Sequence, residues 1–182
     1  IEASSIGIHQ NRLFPLKFNK IAFTNLSRDH LDYHKNMRQY MIAKAKIFIN
    51  NSHKKTIAVL NSDDKNYSYF EKLCLDQRLK VLDYGKKANF LKILSISKKN
   101  NVHEIEINLK NRMKKVVMPS NSLFEVYNIL CSLLIVFGEK ITAKNFDCIK
   151  KLKSPKGRLE KVYDKNFKIF LDYAHTPDAL KN

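Results

Sequence analysis

Behind the short apolar run Lys20-Ile21-Ala22-Phe23, the chain reads Thr24-Asn25-Leu26-Ser27-Arg28-Asp29-His30-Leu31-Asp32-Tyr33-His34. Carboxylate and imidazole groups are the usual protein ligands of divalent cations. Spacings of one and two residues on a loop cannot wrap Asp29, His30, Asp32 and His34 around one ion. One or two of them are expected at metal, and the rest at capping the next helix or holding the loop. Glu2 offers a further carboxylate. Lys44 is the second unusual residue, because it shares a helical stripe with Met37, Tyr40, Met41 and Phe48. An inward-facing lysine has its ammonium form disfavoured by desolvation, so its pKa falls. The free amine can act as a nucleophile, form a Schiff base or capture carbon dioxide as a carbamate. The competing reading is a lysine that snorkels from the edge of the stripe.

Three further polar groups follow strands or breaks. Asn61, Asp63 and Asp64 could hold a nucleotide's base or ribose, or cap the next helix. Gly157-Arg158 supplies a flexible joint and a guanidinium suited to phosphate. Asp172 could accept ribose hydroxyls or act as a cap. The sequence holds no GxxxxGK[ST] phosphate loop, so ATP use would place that loop ahead of Ile1.

The elements that must position these groups are legible in outline. Residues 1–4 are predicted to end a strand, and 5–12 to form a polar turn or short helix. Strands are expected over 20–24, 56–60, 80–84, 90–97, 102–109, 113–118 and 167–171, and helices over 37–50, 65–74, 124–137 and 142–152. Strict alternation in 102–109 predicts a half-exposed strand paired antiparallel with 113–118. Thr176, with Pro177 behind it, is expected to cap a final helix. Ser154-Pro155-Lys156-Gly157 is the expected domain boundary. Strands alternating with helices on both sides of it predict α/β architecture.

Composition narrows the function classes. The formal net charge of +17 suits anionic, phosphate-bearing partners, and nucleic acid is one class of these. The lysines are spread along the whole chain, however, without a basic stripe, an RNA-binding aromatic motif or zinc-finger spacing. Cys74, Cys131 and Cys148 are far apart with no CxxC, and are expected to be buried free thiols in a reducing cytoplasm. No apolar run approaches the roughly 18 residues of a membrane helix, so membrane insertion is not expected.

The order of Glu2-Ala3-Ser4-Ser5, the stretch from Thr24 to His34, Ala43-Lys44, Asn61-Ser62-Asp63-Asp64, Gly157-Arg158-Leu159-Glu160 and Asp172-Tyr173-Ala174-His175-Thr176-Pro177-Asp178-Ala179-Leu180 resembles the Mur ligase family. Within it, the tripeptide synthetases of peptidoglycan synthesis are the most similar. The resemblance implies that residues 1–156 are part of the central, ATP-binding α/β domain, with a mostly parallel sheet and a small antiparallel section, and lack the segment bearing the phosphate loop. Residues 157–182 would begin a Rossmann-like last domain. The implied protein is a cytoplasmic, monomeric, magnesium-dependent ligase. It would use ATP to join a diamino acid, meso-diaminopimelate or L-lysine, to UDP-MurNAc-L-Ala-D-Glu through an acyl phosphate.

Carried over by position, Glu2 and His30 are expected magnesium ligands. Lys44 is the expected carbamylated lysine, helping to place a second magnesium. Ser4, Gln10 and Arg12 would contact the UDP-MurNAc-dipeptide, and Asn61, Asn128, Arg158 and Asp172 the nucleotide. The family carries an asparagine that helps hold adenine where this chain has Glu125. Folylpolyglutamate and cyanophycin synthetases, which share the ligase core, and a basic nucleic-acid-binding module are the alternative readings.

Overall fold

The structure, a computed structural model, describes residues 1–99, 102–120, 122–152, 155–174 and 180. Alternation along one strand explains its layering. In Ile57–Asn61 (β2), Ala58 and Leu60 turn to one face and Val59 to the other, and all three are fully buried. Such a strand is stable only when both faces of its sheet are covered.

Among the described residues one six-stranded sheet has the order β1 to β6: Lys20–Phe23 (β1), β2, Lys80–Gly85 (β3), Leu91–Lys99 (β4), Val102–Leu109 (β5) and Arg112–Pro119 (β6). The first four strands run parallel, and β4, β5 and β6 pair antiparallel. Phe23 is in register with Leu60, and Asn61 with Tyr84. The carboxyl ends of β1, β2 and β3 therefore share one edge of the sheet, the edge where open α/β sheets bind ligands.

Met37–Asn50 (α3) and Tyr67–Asp76 (α4) cover one face, packing Tyr40, Phe48, Phe70 and Cys74 against Ile21, Phe23, Ala58 and Leu60. Asn36 starts α3 by accepting the Gln39 amide proton at 2.9 Å. Leu123–Phe137 (α5) covers the other face, burying Val126, Leu130, Leu133 and Leu134 at helical spacing against Val59, Leu82, Leu91 and Ile107. Ser5–His9 (α1) packs on α3, and Leu31–His34 (α2) is a single turn that leads into it. This is the α/β architecture expected, with its antiparallel section in place.

The local differences are few. Cys74 and Cys131 are buried as expected, but Cys148 is exposed, on the solvent side of its short helix. Residues 1–4 lead into α1 without pairing in a described strand. The helix expected over 142–152 is present over Ala143–Lys151 in 3₁₀ form, started by reciprocal bonds between Thr142 and Asn145. Past the expected boundary, Glu160–Asp164 (β7) pairs antiparallel with Lys168–Leu171 (β8) as a separate two-stranded sheet. The sequence reading saw β8 alone. The charged ends of β7 and the exposure of both strands leave no buried face to produce a period-two signal. Thr176 and Pro177 lie outside the described residues.

Candidate functional site

Helix α3 delivers Lys44 to the sheet edge one turn after Tyr40, and the lysine Nζ lies 5.1 Å from the centroid of the Tyr40 ring. Burial pushes the Lys44 pKa below its usual value. The carboxylates of Asp29 and Glu2 pull in the opposite direction, so both are close enough to act on this amine. Three groups far apart in sequence thus converge.

His30 stands beside them in the left-handed region at φ 51°. That conformation is sparsely populated for a residue with a Cβ and costs about 1–3 kcal/mol unless its surroundings hold it. Here the His30 amide donates to Asp29 Oδ1 at 2.8 Å, its Nε2 lies 3.6 Å from Asp29 Oδ2, and its ring meets Tyr40 edge-on at 6.1 Å.

Among the described residues no group of three His, Cys, Asp or Glu side chains could hold an ion by itself. The donors present still suit magnesium, which is characteristically bound by one or two carboxylates with substrate phosphates and retained water. Glu2 and Asp29 supply such carboxylates, and a carbamate on Lys44 would add oxygen donors. His34 is engaged elsewhere, its Nε2 lying 2.9 Å from the Ser5 hydroxyl. His34 is buried, its pKa lowered first by desolvation and then by His9, His30 and Lys44, while Asp32 opposes the shift.

The segment expected to contact substrate lies alongside, on α1 and the turn after it. Ser4 Oγ accepts the Gly7 amide proton at 3.1 Å as the N-cap of α1. A Cβ at Gly7 would lie 3.0 Å from Ser4 Oγ and 3.8 Å from Arg12 Cδ, so the Arg12 side chain folds back over this glycine. Gln10 Nε2 donates to the Tyr33 hydroxyl at 3.4 Å.

A second feature is a cleft of about 250 Å³ lined by Thr24, Asn61, Asp63, Tyr84, Tyr127 and Asn128 among others. Asn61 and Asn128, two of the four residues expected at the nucleotide, both line this cleft. The capping reading of the Asn61 cluster is corrected. Asn61 Nδ2 donates to the Thr24 carbonyl at 2.8 Å and ties the ends of β1 and β2 together. Asp63 reaches across to the turn after β3, accepting the amides of Lys86 and Lys87 at 2.7 and 3.1 Å and the Tyr127 hydroxyl at 2.6 Å. Asp64 accepts the Leu26 amide at 3.1 Å and the Asn66 amide at 2.8 Å. The helix that follows has Asn66 as its N-cap residue, without a side-chain capping bond.

Arg158 and Asp172 do not line this cleft. They meet each other's neighbourhood at the start of the β7–β8 sheet. The Arg158 guanidinium sits 5.1 Å over the Tyr173 ring, and Asp172 accepts the Leu159 and Ala174 amides at 2.6 and 2.7 Å.

The sequence pattern of the Mur ligase middle domain matches residues 1–136. The chain belongs to the Mur ligase family. It is 36% identical over 181 residues to the UDP-N-acetylmuramoyl-L-alanyl-D-glutamate–2,6-diaminopimelate ligase of Rickettsia montanensis, covering 99% of this chain and 37% of that protein. The ligase of the same name from Aquifex aeolicus is 33% identical over 181 residues, covering 100% of this chain and 36% of its own length. A solved structure of a ligase of that name superimposes with a TM-score of 0.80 at 29% identity, covering 98% of this chain and 37% of that one. MurF from Thermotoga maritima, solved with ADP, shares the fold at a TM-score of 0.72 and 21% identity, over 91% of this chain and 38% of its own. The chain therefore spans well under half the length of the Mur ligases it matches.

Sequence reasoning about this Mur ligase chain missed the aromatic side chains that frame its polar groups. In the sequence Tyr40 is one more apolar member of the α3 stripe, yet its ring contacts His30, His34 and Lys44. Its position one turn before Lys44 was the available signal. Tyr127, which donates to Asp63, carried no such signal, because its partner lies 64 residues away. Glu125 lies in the first turn of α5, its amide donating to the Ser122 hydroxyl at 3.3 Å, where an acidic residue favours the helix dipole.

Proposed function

We propose that the whole protein is an ATP-dependent ligase of peptidoglycan synthesis in the cytoplasm. In this reading it joins meso-diaminopimelate to UDP-MurNAc-L-Ala-D-Glu. The observation that carries the reading is the convergence of Glu2 and Asp29 on a half-buried Lys44 with lowered pKa, with His30 held against Asp29. The names of relatives 33–36% identical over essentially the whole chain support diaminopimelate over lysine as the acceptor.

The chemistry asks for a carboxylate oxygen of the dipeptide to attack the γ-phosphorus of ATP, releasing ADP and leaving an acyl phosphate. The amine of the diamino acid then attacks the acyl carbon, phosphate departs, and the amine proton goes to solvent or a nearby base. Ser4, Gln10 and Arg12 would hold the UDP-MurNAc-dipeptide, and Arg12 brings a guanidinium suited to its phosphates. Asn61 and Asn128 would hold the base or ribose in the cleft. Arg158 and Asp172 would reach the nucleotide from the next domain, in a division at residues 1–156 and 157–182.

Glu2 and His30 would hold magnesium, with Lys44 contributing after carbamylation. Bound there, the ion would neutralise charge that develops between attacking oxygen and phosphoryl group. Carbamylation consumes a free amine and carbon dioxide and releases one proton. The lowered Lys44 pKa raises the fraction of that amine.

The test is phosphate release by the full-length protein with each component withheld in turn. Release that requires UDP-MurNAc-L-Ala-D-Glu, magnesium and diaminopimelate together is the expected result. Release indifferent to the dipeptide substrate overturns the reading.

A further inference from the structure

We propose that Tyr33-His34 is a positioning pair that clasps residues 4–12 against the His30 loop and thereby sets where the substrate held by that segment meets Lys44. The proposal rests on the ligase reading above. His34 is only 4% exposed, and its Nε2 lies 2.9 Å from the hydroxyl of Ser5, itself 1% exposed. Its ring stacks on Tyr40 at 5.2 Å and 19°. The adjacent Tyr33 turns its hydroxyl to the other end of α1, 2.9 Å from His9 Nδ1 and 3.4 Å from Gln10 Nε2. The His9 ring closes the cluster edge-on against Tyr33 at 5.6 Å and His34 at 6.1 Å.

One dipeptide thus grips α1 at both ends, just inside Ser4 on one side and at Gln10 on the other. The Tyr40 ring beneath His34 also faces Lys44 and His30, so the clasp and the amine share one support.

The chemistry of the grip argues for positioning over filling. An apolar side chain could occupy the space of His34 without a desolvation penalty. A buried imidazole paired with a buried hydroxyl penalises any shift of α1, because a shift leaves both groups unpaired. Such a pair specifies one register of α1 relative to the loop. Ile8 anchors α1 by apolar burial, but one such contact is non-directional and does not fix register, and Ser4, His9, Gln10, Asn11 and Arg12 are all exposed.

The test uses the full-length protein. Binding of UDP-MurNAc-L-Ala-D-Glu is measured by calorimetry without ATP, ADP binding is measured separately, and hydrogen exchange is followed over residues 4–12. Ser5→Ala and His34→Leu should each weaken UDP-dipeptide binding about tenfold, leave ADP affinity within twofold, and speed exchange of residues 4–12. Combining them should weaken binding no further than either alone, since both break one contact. His34→Gln, which can still reach the Ser5 hydroxyl, should recover most of the affinity.

Unchanged UDP-dipeptide affinity in Ser5→Ala, an equal loss for ADP, or additive losses in the double variant would overturn the clasp. Ser5→Ala removes one oxygen, so it decides the matter if His34→Leu does not fold. Wild-type protein that binds no UDP-dipeptide would overturn the ligase reading instead. The exchange measurement would then still judge the clasp, with unchanged exchange in Ser5→Ala refuting it.

Discussion

Asp63 offers the sharpest structural prediction, because its carboxylate bridges three separate pieces of chain. It accepts the Lys86 and Lys87 amides on the turn after β3 and the hydroxyl of Tyr127 on α5. Hydrogen bonds to a charged group contribute about 1.5–3 kcal/mol each. The two amides lie at an exposed turn, where water replaces much of what is lost. The Tyr127 hydroxyl is half-buried, and burial with the Asp63 bond pushes its pKa up, so it remains a donor.

Asp63→Ala is therefore expected to cost about 2–4 kcal/mol, and Tyr127→Phe about 1–2 kcal/mol. At about 2–4 °C per kcal/mol for a chain of this size, Asp63→Ala should lower Tm by roughly 4–16 °C. The chain has no tryptophan, so urea and thermal unfolding are best followed by circular dichroism. The double variant should lose less than the sum of the singles by at least about 0.5 kcal/mol. A loss below about 0.5 kcal/mol for Asp63→Ala, or strict additivity, refutes the bridge.

Gly85 holds φ at +131°, and a Cβ there would stand 2.6 Å from Asp63 Oδ2, so Gly85→Ala should cost at least about 2 kcal/mol in the same unfolding assay. His34 has a folded pKa below its ordinary 6.5, so the unfolded chain binds more protons below that pH. Its contribution should be complete above pH 6.5 and be lost as pH falls through the folded value, a slope that His34→Gln removes. An unaltered pH–stability curve in that variant would contradict this. For Lys44, depletion of carbon dioxide should lower activity of the full-length protein, and bicarbonate should restore it. Lys44→Arg should lose at least about 100-fold, as expected when a charge-stabilising group is removed. Activity indifferent to both would remove the carbamate role.

How much was legible in the sequence follows from the range of each interaction. Periodicity located α3 between Met37 and Asn50 and β5 between Val102 and Leu109, because packing on one face leaves a local trace. Lys44 stood out for the same reason, as a charge inside an apolar stripe. Spacing leaves open which of the four loop residues would meet metal, and only the family resemblance points to His30; the bond of His34 to Ser5 suits a loop-holding role.

What escaped detection depends on contacts between distant segments. The Asp63 bridge to Tyr127 joins residues 64 apart, and Tyr33 meets His9 across 24. The 3₁₀ form of Ala143–Lys151 is likewise not legible, because a short amphipathic stretch carries a similar pattern in either kind of helix.

The central claim is a ligase whose amide-forming site is built on the Lys44 face of this domain. Mass analysis of the product made by full-length protein from UDP-MurNAc-L-Ala-D-Glu, diaminopimelate, ATP and magnesium tests it most directly. The account predicts one condensation product, the sum of dipeptide substrate and diaminopimelate less one water, formed in step with ADP and absent in Lys44→Arg. ATP consumption without that product, or product undiminished in Lys44→Arg, would contradict it.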